Sequence, residues 1–477
     1  MVSKMENSIT KSIFWGTSKC GEMNLSFWST AGVRPDYFCS NDEKAWGTSI
    51  FGIPVISPRD VVLLKNYKIF ITSYARNEIR KQLIDLGIDT KNIFSLIMPF
   101  YYPNQKIYKK LMSEFLPSVE IIKKKVTGVS FEYFEGGLLG GTQSWAYFEQ
   151  KKLMNYGIPC NSLIPSDQIG LNIKEFNEVF LKRTNENNMF YEACDYFLST
   201  NLDTFVSMSG SEMLSAACFV KKKYSLDLRI IAFCHADNDE YYDSYTMLHP
   251  YIDVCYVISN KMKNTFILRG FDKNKIKYYP WLVTDLRDIN SITVNLNAPL
   301  RIGYLGRICC QQKRCDLLIL LAEKLIALGV SFLFFIVGDG NYLVQLKNKV
   351  EERKLDKNII FLGQIEHSLV SEFWDKQDIY VSCSEFEGHS LSQFEALSRG
   401  TVAVCTDCSG VSDDVINGYN GYVSPIGDID SMASNIKILD DNRNLLFLMK
   451  QRTLKFFEKK LSEYKDPLFD YVTDNDQ

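Results

Sequence analysis

Short apolar runs separated by stretches of helical period recur along the whole chain, and this alternation restricts the fold more than any other feature. Strands that read as continuous apolar runs are buried on both faces, and helices that return between them make the strands parallel. The runs predicted as strands are Ser12–Trp15, Asp36–Cys39, Lys68–Ser73, Val126–Phe134, Thr204–Met208, Arg229–Cys234, Val254–Ile258 and Lys275–Tyr279. Further along come Leu300–Leu305, Ser331–Val337, Ile359–Leu362, Ile379–Ser382 and Val402–Val404. Helices are expected at Glu78–Leu86, Ile107–Lys125, Thr142–Tyr156 and Arg443–Lys460. The class is therefore α/β. With 477 residues the chain exceeds a single core. Changes near residue 120 and in the polar stretch Asn290 to Pro299 divide it into units 1–120, 121–292 and 293–442, with a helical tail 443–477 expected to pack back on the second unit.

The charge of -3, from 54 basic and 57 acidic residues, gives no global field toward nucleic acid, so any phosphate recognition must be local. Thirteen cysteines in no disulfide pattern fit a reducing cytoplasm, and Cys405-x-x-Cys408 lacks the second pair of a zinc site. The N-terminal lysines are followed by no long apolar core, so a secretory signal is not expected. Leu317 to Val337 is interrupted by Glu323 and Lys324, which suits a buried helix followed by a strand rather than a membrane span.

Three features of the third unit share one physical use, holding a sugar on a diphosphate. Gly306-Arg307 follows a strand directly, and Lys313 begins the next helix; together the two cations can neutralise a diphosphate. Val337-Gly338-Asp-Gly340 is a turn whose small residues let a ligand approach the backbone. Ser384-Glu-Phe-Glu387-Gly388-His389-Ser390-Leu391-Ser-Gln-Phe-Glu395 places two carboxylates around a helix start whose free amides attract anions. Each feature alone is common on a solvated surface. Their order is what is informative.

These residues resemble glycosyltransferase family 4, whose Glu, seven residues, Glu signature is matched by Glu387 to Glu395. The likeness continues in Lys313-Arg314, Phe361-Leu-Gly363 and Gly418-Tyr-Asn-Gly421, covers nearly all of residues 298 to 440, and weakens toward the N-terminus. The resemblance implies a GT-B fold, two Rossmann-like domains facing a cleft, here with an extra N-terminal Rossmann-like domain. It further implies that Arg307 and Lys313 hold the diphosphate, that Glu387 bonds hydroxyls of the transferred sugar, and that Glu395 holds the ribose. Amides of Gly388, His389, Ser390 and Leu391 would contact phosphate or sugar, with Gly306, Gly338 and Gly340 lining the same site. From the other domain, His235 would face the reacting sugar, Gly140, Gly141 and Thr142 would form the acceptor-side loop, and Ser259 would precede a helix. Such enzymes transfer with retention and need no metal.

The implied reaction moves a sugar from a nucleotide-sugar, with a UDP-sugar expected, to a glycan, lipid-linked or protein acceptor in bacterial cell-surface polysaccharide synthesis. No other cofactor is expected. A GT-B epimerase or phosphorylase, or a non-catalytic nucleotide-sugar-binding subunit, remains the alternative. Three places depart from the family pattern: Pro280-Trp-Leu-Val, His389 in place of an aromatic, and Ser409-Gly-Val-Ser-Asp413 without Pro-Glu.

Outside the third unit the signals are weaker. Asp237-Asn-Asp239 looks like a metal motif of another transferase fold but reads better as loop acid. Gly16-x-Ser-x-x-Gly21, with Asp42 after the second strand, is an imperfect dinucleotide fingerprint. The segment 51–60 resembles a nucleotide-fold domain at the front of bacterial sugar-modifying proteins, read as a non-catalytic or regulatory ligand-binding appendage rather than an active dehydrogenase. Lys123–Lys125 and Lys221–Lys223 flank the second unit, with peripheral contact to the inner face of the plasma membrane as an expectation, against solvated helix ends.

Overall fold

The computed structural model describes residues 10–16, 35–72, 76–94, 115–123, 125–133, 141–165, 175–181, 189–209, 211–279, 285–463 and 466–473. Three sheets follow one another along the chain. The first contains β1 (Lys11–Trp15), β2 (Tyr37–Cys39), β3 (Ser49–Ile50), β4 (Ile53–Ile56), β5 (Tyr67–Ile71) and β6 (Ile93–Phe94), in the order β3-β4-β2-β1-β5-β6. Only the β3–β4 pair is antiparallel.

The second sheet contains β7 (Val126–Glu132), β8 (Cys160–Pro165), β9 (Asn177–Leu181), β10 (Leu202–Ser207), β11 (Arg229–Cys234), β12 (Val254–Val257) and β13 (Ile276–Tyr278), ordered β13-β12-β11-β10-β7-β8-β9. The third contains β14 (Leu300–Leu305), β15 (Phe332–Val337), β16 (Ile359–Gly363), β17 (Ile379–Ser382), β18 (Val402–Thr406) and β19 (Gly421–Ser424), ordered β16-β15-β14-β17-β18-β19. Both are wholly parallel, as buried strands with crossover helices require.

In each of these two sheets the chain builds outward on one side and then returns to the other side of its first strand. That reversal opens a crevice at the carboxyl ends, between β7 and β10 and between β14 and β17, where ligands of α/β proteins bind. In the second sheet the crevice holds Glu132, which is fully buried and accepts from Ser207 Oγ at 2.8 Å, Met208 N at 2.8 Å and Ser209 Oγ at 2.7 Å. Burial raises its pKa against the pull of these donors. No apolar pattern singles out such a residue.

The first sheet divides its two faces. Ile13, Trp15, Cys39, Ile69 and Ile71 form a separate core with Val61, Ile79 and Leu83 of the unit's own helices. Phe14, Phe38, Phe70 and Phe94 on the other face join the large apolar cluster that runs through the second unit. The first unit is thus docked on the second by one face of its sheet.

At the other end of the chain, helix Arg443–Ser462 carries Lys450, whose buried Nζ donates to Gln377 O at 2.8 Å and pins the helix to the start of β17. The short helix Pro467–Thr473 lies on the second unit: Tyr256 Oη donates to Pro467 O at 2.7 Å, and Arg229 Nη1 to Tyr471 O at 3.0 Å.

Some expectations need correction. The helix expected over Ile107–Lys125 is absent from residues 115–123, which have no regular structure; residues 107–114 lie outside the described residues. The lysine clusters are partly consumed internally. Lys221 pairs with Asp253 at 2.5 Å, Lys223 donates to Phe115 O at 2.7 Å, and Lys125 donates to Phe197 O and Thr200 O at 3.0 and 2.7 Å. Among the described residues, no helix is long and apolar enough to cross a membrane.

Candidate functional site

The crevice between β14 and β17 gathers the residues singled out in the third unit. The loop after β14 carries Arg307, Gln312 and Lys313, and the loop after β17 carries Ser384 and Glu387. Lys313 Nζ donates to Glu387 Oε1 at 2.6 Å, and Ser384 Oγ donates to the same oxygen at 2.7 Å. Gln312 Nε2 reaches Glu387 Oε2 at 3.4 Å while its carbonyl accepts from Arg307 Nη2 at 2.7 Å. Backbone pairing of Glu385 N with Gln312 O at 2.8 Å ties the two loops together. Arg307 is exposed, whereas Lys313 and Glu387 are 15% and 9% accessible in their side chains, so their attraction is only weakly screened. Gln312 and Ser384 were not singled out from the sequence, although they adjoin residues that were.

The glycines are there for backbone proximity. Gly306, Gly338 and Gly340 have φ of 158°, 134° and 157°. A Cβ on Gly338 would lie 2.0 Å from Gly306 O, and one on Gly340 would lie 2.3 Å from Ile308 O. The loops after β14 and β15 therefore pack backbone against backbone, with Ile308 N donating to Asp339 O at 2.8 Å. Because both atoms in the clash are fixed, Gly338→Ala is expected to cost about 2 kcal/mol or more and to weaken nucleotide binding. Urea unfolding and UDP calorimetry check this; unchanged midpoint and affinity would contradict it.

Ser390 caps helix Leu391–Ser398 without a side-chain bond to it, so the first amides of that helix lack the partner a serine usually supplies. Its Oγ instead meets Ser392 Oγ at 3.0 Å. Glu395, inside this helix, is turned toward the segment after β16, with His367 Nδ1 at 3.8 Å. Burial raises its pKa to about 7.

His389 does not point its side chain toward the Lys313–Glu387 pair. Its Nδ1 lies 2.7 Å from Ile258 O of the second unit, its Nε2 meets the carboxylate of fully buried Asp414, and its ring packs on Phe394. Asp414 is also paired with Lys460 of helix Arg443–Ser462. Burial alone would raise Asp414, but His389 and Lys460 on either side hold its carboxyl below the ordinary range. His389 thus joins the two units through its side chain, and only its backbone is left for a ligand. Lys460→Met is expected to destabilise the fold by about 3 kcal/mol, because a fully buried carboxylate loses the lysine charge that faces it. Thermal unfolding checks this, and an unchanged midpoint would contradict it.

The second unit brings His235 to the same region. It lies at the end of β11, packed against Phe233 and Trp145 with ring centroids at 4.4 and 5.1 Å. Burial lowers its pKa to about 3, so the imidazole is neutral at working pH. A Cβ on Gly388 would lie 1.9 Å from His235 O, which places His235 and the Glu387 loop in direct backbone contact across the units. Ser259 caps helix Asn260–Leu268 and meets Ser409 Oγ at 2.6 Å, while Asp413 accepts from Asn260 N at 2.8 Å. The loop that departs from the family pattern therefore supplies contacts between the units.

Other predicted residues stand apart. Gly141 opens helix Gly141–Asn155 and Thr142 is half-buried in its first turn; Gly140 lies outside the described residues. Gly16 directly follows β1 with φ 137°, while Gly21 lies outside the described residues. Asp42 is exposed and caps a short turn by accepting from Lys44 N at 3.0 Å, so its carboxylate already has a local use. Pro280-Trp-Leu-Val likewise lies outside the described residues. Asp237 accepts from Tyr242 Oη at 2.6 Å, and Asp239 pairs with Arg80 Nε at 2.8 Å and with Arg269. Both carboxylates serve structural contacts, and Asp239 opens helix Asp239–Leu248 rather than lying in the loop expected from the sequence.

Comparison with known proteins agrees with this geometry. Residues 292–455 match the family described as glycosyl transferases group 1, and residues 8–94 match the C2185-like N-terminal domain. A poly(ribitol-phosphate) alpha-N-acetylglucosaminyltransferase of Staphylococcus aureus (strain COL) is 25% identical over 187 residues, 39% of this chain and 36% of that protein. An N-acetyl-alpha-D-glucosaminyl L-malate synthase of Bacillus anthracis is 26% identical over 146 residues, 29% of this chain and 38% of that protein. The matches thus span a little over a third of these relatives' own length. Among solved structures, the lipopolysaccharide outer core galactosyltransferase WaaB superposes with a TM-score of 0.56 at 18% identity, covering 70% of this chain and 99% of that one. Anabaena Alr3699/HepE in complex with UDP superposes with a TM-score of 0.56 at 12% identity, covering 70% and 95%. The chain therefore has the GT-B fold, with residues 292–455 matching the glycosyl transferases group 1 family and residues 8–94 the C2185-like N-terminal domain.

Proposed function

We propose that the chain is a retaining glycosyltransferase that moves a sugar from a UDP-sugar to a glycan, lipid-linked or protein acceptor in the synthesis of a bacterial cell-surface polymer. The observation that carries this reading is the meeting of Lys313 and Glu387 in the switch-point crevice at 2.6 Å, with Arg307 one hydrogen-bonded residue away. In the reaction the acceptor hydroxyl forms a bond to the anomeric carbon as the bond to the diphosphate breaks, and the hydroxyl proton leaves with the diphosphate. Lys313 and Arg307 neutralise the charge developing on that leaving group, which is the work otherwise given to a metal ion. Glu387 accepts hydrogen bonds from sugar hydroxyls, and Glu395 does so from the ribose. Neutral His235 contributes a hydrogen bond without a competing charge.

The acceptor class is supported by the relatives' names: one acts on poly(ribitol-phosphate), and another, from Escherichia coli, on a diphosphoundecaprenol-linked sugar. We place the reaction in the cytoplasm, with any membrane contact left to surfaces other than the internally bonded lysines. A panel of UDP-glucose, UDP-galactose and UDP-N-acetylglucosamine, with GDP- and ADP-sugars as controls, tests the donor by its shift of the unfolding temperature. Product anomeric configuration by NMR then tests retention, and activity in excess chelator tests metal independence. An inverted product or chelator-abolished turnover would overturn those parts, while a new nucleotide-sugar formed without acceptor would mark an epimerase instead.

A further inference from the structure

Four charges join the N-terminal unit to the second unit, with Arg80 and Asp243 buried and Asp239 and Arg269 half-buried. Arg80, 6% exposed on helix Arg76–Asp85, donates from Nη2 to both oxygens of Asp243 at 2.9 and 2.7 Å and to Ile93 O of its own unit at 3.2 Å. Its Nε pairs with Asp239 at 2.8 Å. Arg269 of the second unit answers from the opposite side, with Nη1 2.8 Å from Asp243 and a further contact to Asp239. Its guanidinium lies over the Tyr242 ring at 4.7 Å. Two arginines and two aspartates balance in charge, so the cluster tolerates burial only while all four are present.

What these charges hold gives the cluster its meaning. Asp239 is the first residue of helix Asp239–Leu248 and stands four positions after His235, whose backbone is pressed against Gly388. Arg269 caps the end of helix Asn260–Leu268, and the start of that helix takes Ser409 and Asp413 from the third unit. Strand β6 of the first unit runs beside helix Asp239–Leu248. Arg80 from the N-terminal unit therefore holds the first of these segments directly, through Asp239 and Asp243, and the second only through Arg269, which shares those carboxylates. A shift of about 1 Å in such a segment is enough to lower a rate about 10²-fold.

We propose that Arg80 is a positioning residue for the transfer reaction, and that the N-terminal unit is a fixed part of the acceptor half of the cleft rather than a tethered accessory. Arg80 acts through Asp239 and Asp243 on the His235 segment and touches no substrate. The proposal rests on the transferase reading above for its effect on rate. Its effect on the structure is independent of that reading.

The test uses the full chain with Arg80→Ala, Arg80→Lys and Asp239→Asn. Turnover is measured per folded molecule with whichever of UDP-glucose, UDP-galactose or UDP-N-acetylglucosamine the wild type consumes, and UDP affinity is measured by calorimetry. Arg80→Ala is expected to lower kcat at least tenfold while UDP affinity, set in the third unit, changes less than twofold. Arg80→Lys keeps the charge without the fork and recovers part of the loss. A folded Arg80→Ala enzyme with kcat within twofold of wild type, or one whose loss lies in UDP affinity, would overturn the proposal. If Arg80→Ala does not fold, Asp239→Asn, which keeps the shape and removes one charge, must show the same split between kcat and affinity, and wild-type behaviour would overturn it. If the wild type consumes none of the three donors, the transferase reading fails separately. Amide hydrogen exchange then decides the clamp: Arg80→Ala must speed exchange in residues 236–248 and leave 300–337 unchanged, and equal protection in 236–248 ends it.

Discussion

Replacing both Arg307 and Lys313 with alanine lowers turnover by about 10²-fold, on the order of 2.7 kcal/mol of barrier, with each single change contributing at least tenfold. The two changes should differ in every other respect. Arg307 is exposed and, among the described residues, its side chain bonds to Gln312 alone, so Arg307→Ala leaves the unfolding midpoint nearly unaltered. Lys313 balances Glu387, which is 8% exposed, so Lys313→Ala also destabilises the fold by leaving that carboxylate, among the described residues, with the neutral donors Ser384 and Gln312. The double variant Lys313→Met with Glu387→Gln, which removes both charges, should recover stability without recovering rate. Steady-state kinetics beside urea unfolding check this pattern, and near-normal rates in a folded Arg307→Ala, Lys313→Ala protein would contradict the site.

Glu395 leads to the second large effect, in the dependence on pH. Its carboxyl is raised from 4.5 to about 7 by burial. The folded state therefore binds the proton more tightly than the unfolded chain, so this contribution to stability is fully present below about 4.5 and is lost as pH rises through about 7. The shift corresponds to about 3 kcal/mol between those limits. Ribose hydroxyls donating to the carboxylate favour its ionised form and pull the pKa back down. UDP affinity is therefore expected to tighten as pH rises from 6 to 8, by up to about tenfold per unit below the raised pKa, with a proton released on binding. Glu395→Gln should bind UDP weakly with no such slope and should be more stable than wild type at pH 8. Calorimetry in two buffers of different ionisation enthalpy measures the proton directly. A flat wild-type profile without proton release would remove Glu395 from the nucleotide site.

Much of this could be read in the residues. Apolar runs such as Arg229–Cys234 and Leu300–Leu305 are found as β11 and β14 with the same bounds, because a strand buried on both faces needs no context to be recognised. Arg307, Lys313 and Glu387 were legible because their spacing reflects chemistry at a strand end. Strands β3, β4, β6, β8, β9 and β19 were not, since pairing with neighbours rather than composition selects them. Lysines 125, 221 and 223 read as surface charge because a sequence does not show which carbonyl or carboxylate a long side chain will reach.

Local pattern thus determined the α/β class, the strand ends and the diphosphate-directed residues of the third unit, since hydrophobic period and motif spacing act over a few residues. Tertiary packing alone decided that Gln312 bridges Arg307 to Glu387, that His389 faces Asp414 and Ile258, and that Arg80 crosses from the first unit to Asp239 and Asp243. Those contacts join residues as much as 163 positions apart. Their partners are chosen by which sheet faces and helix ends meet in space, and no local pattern records that choice.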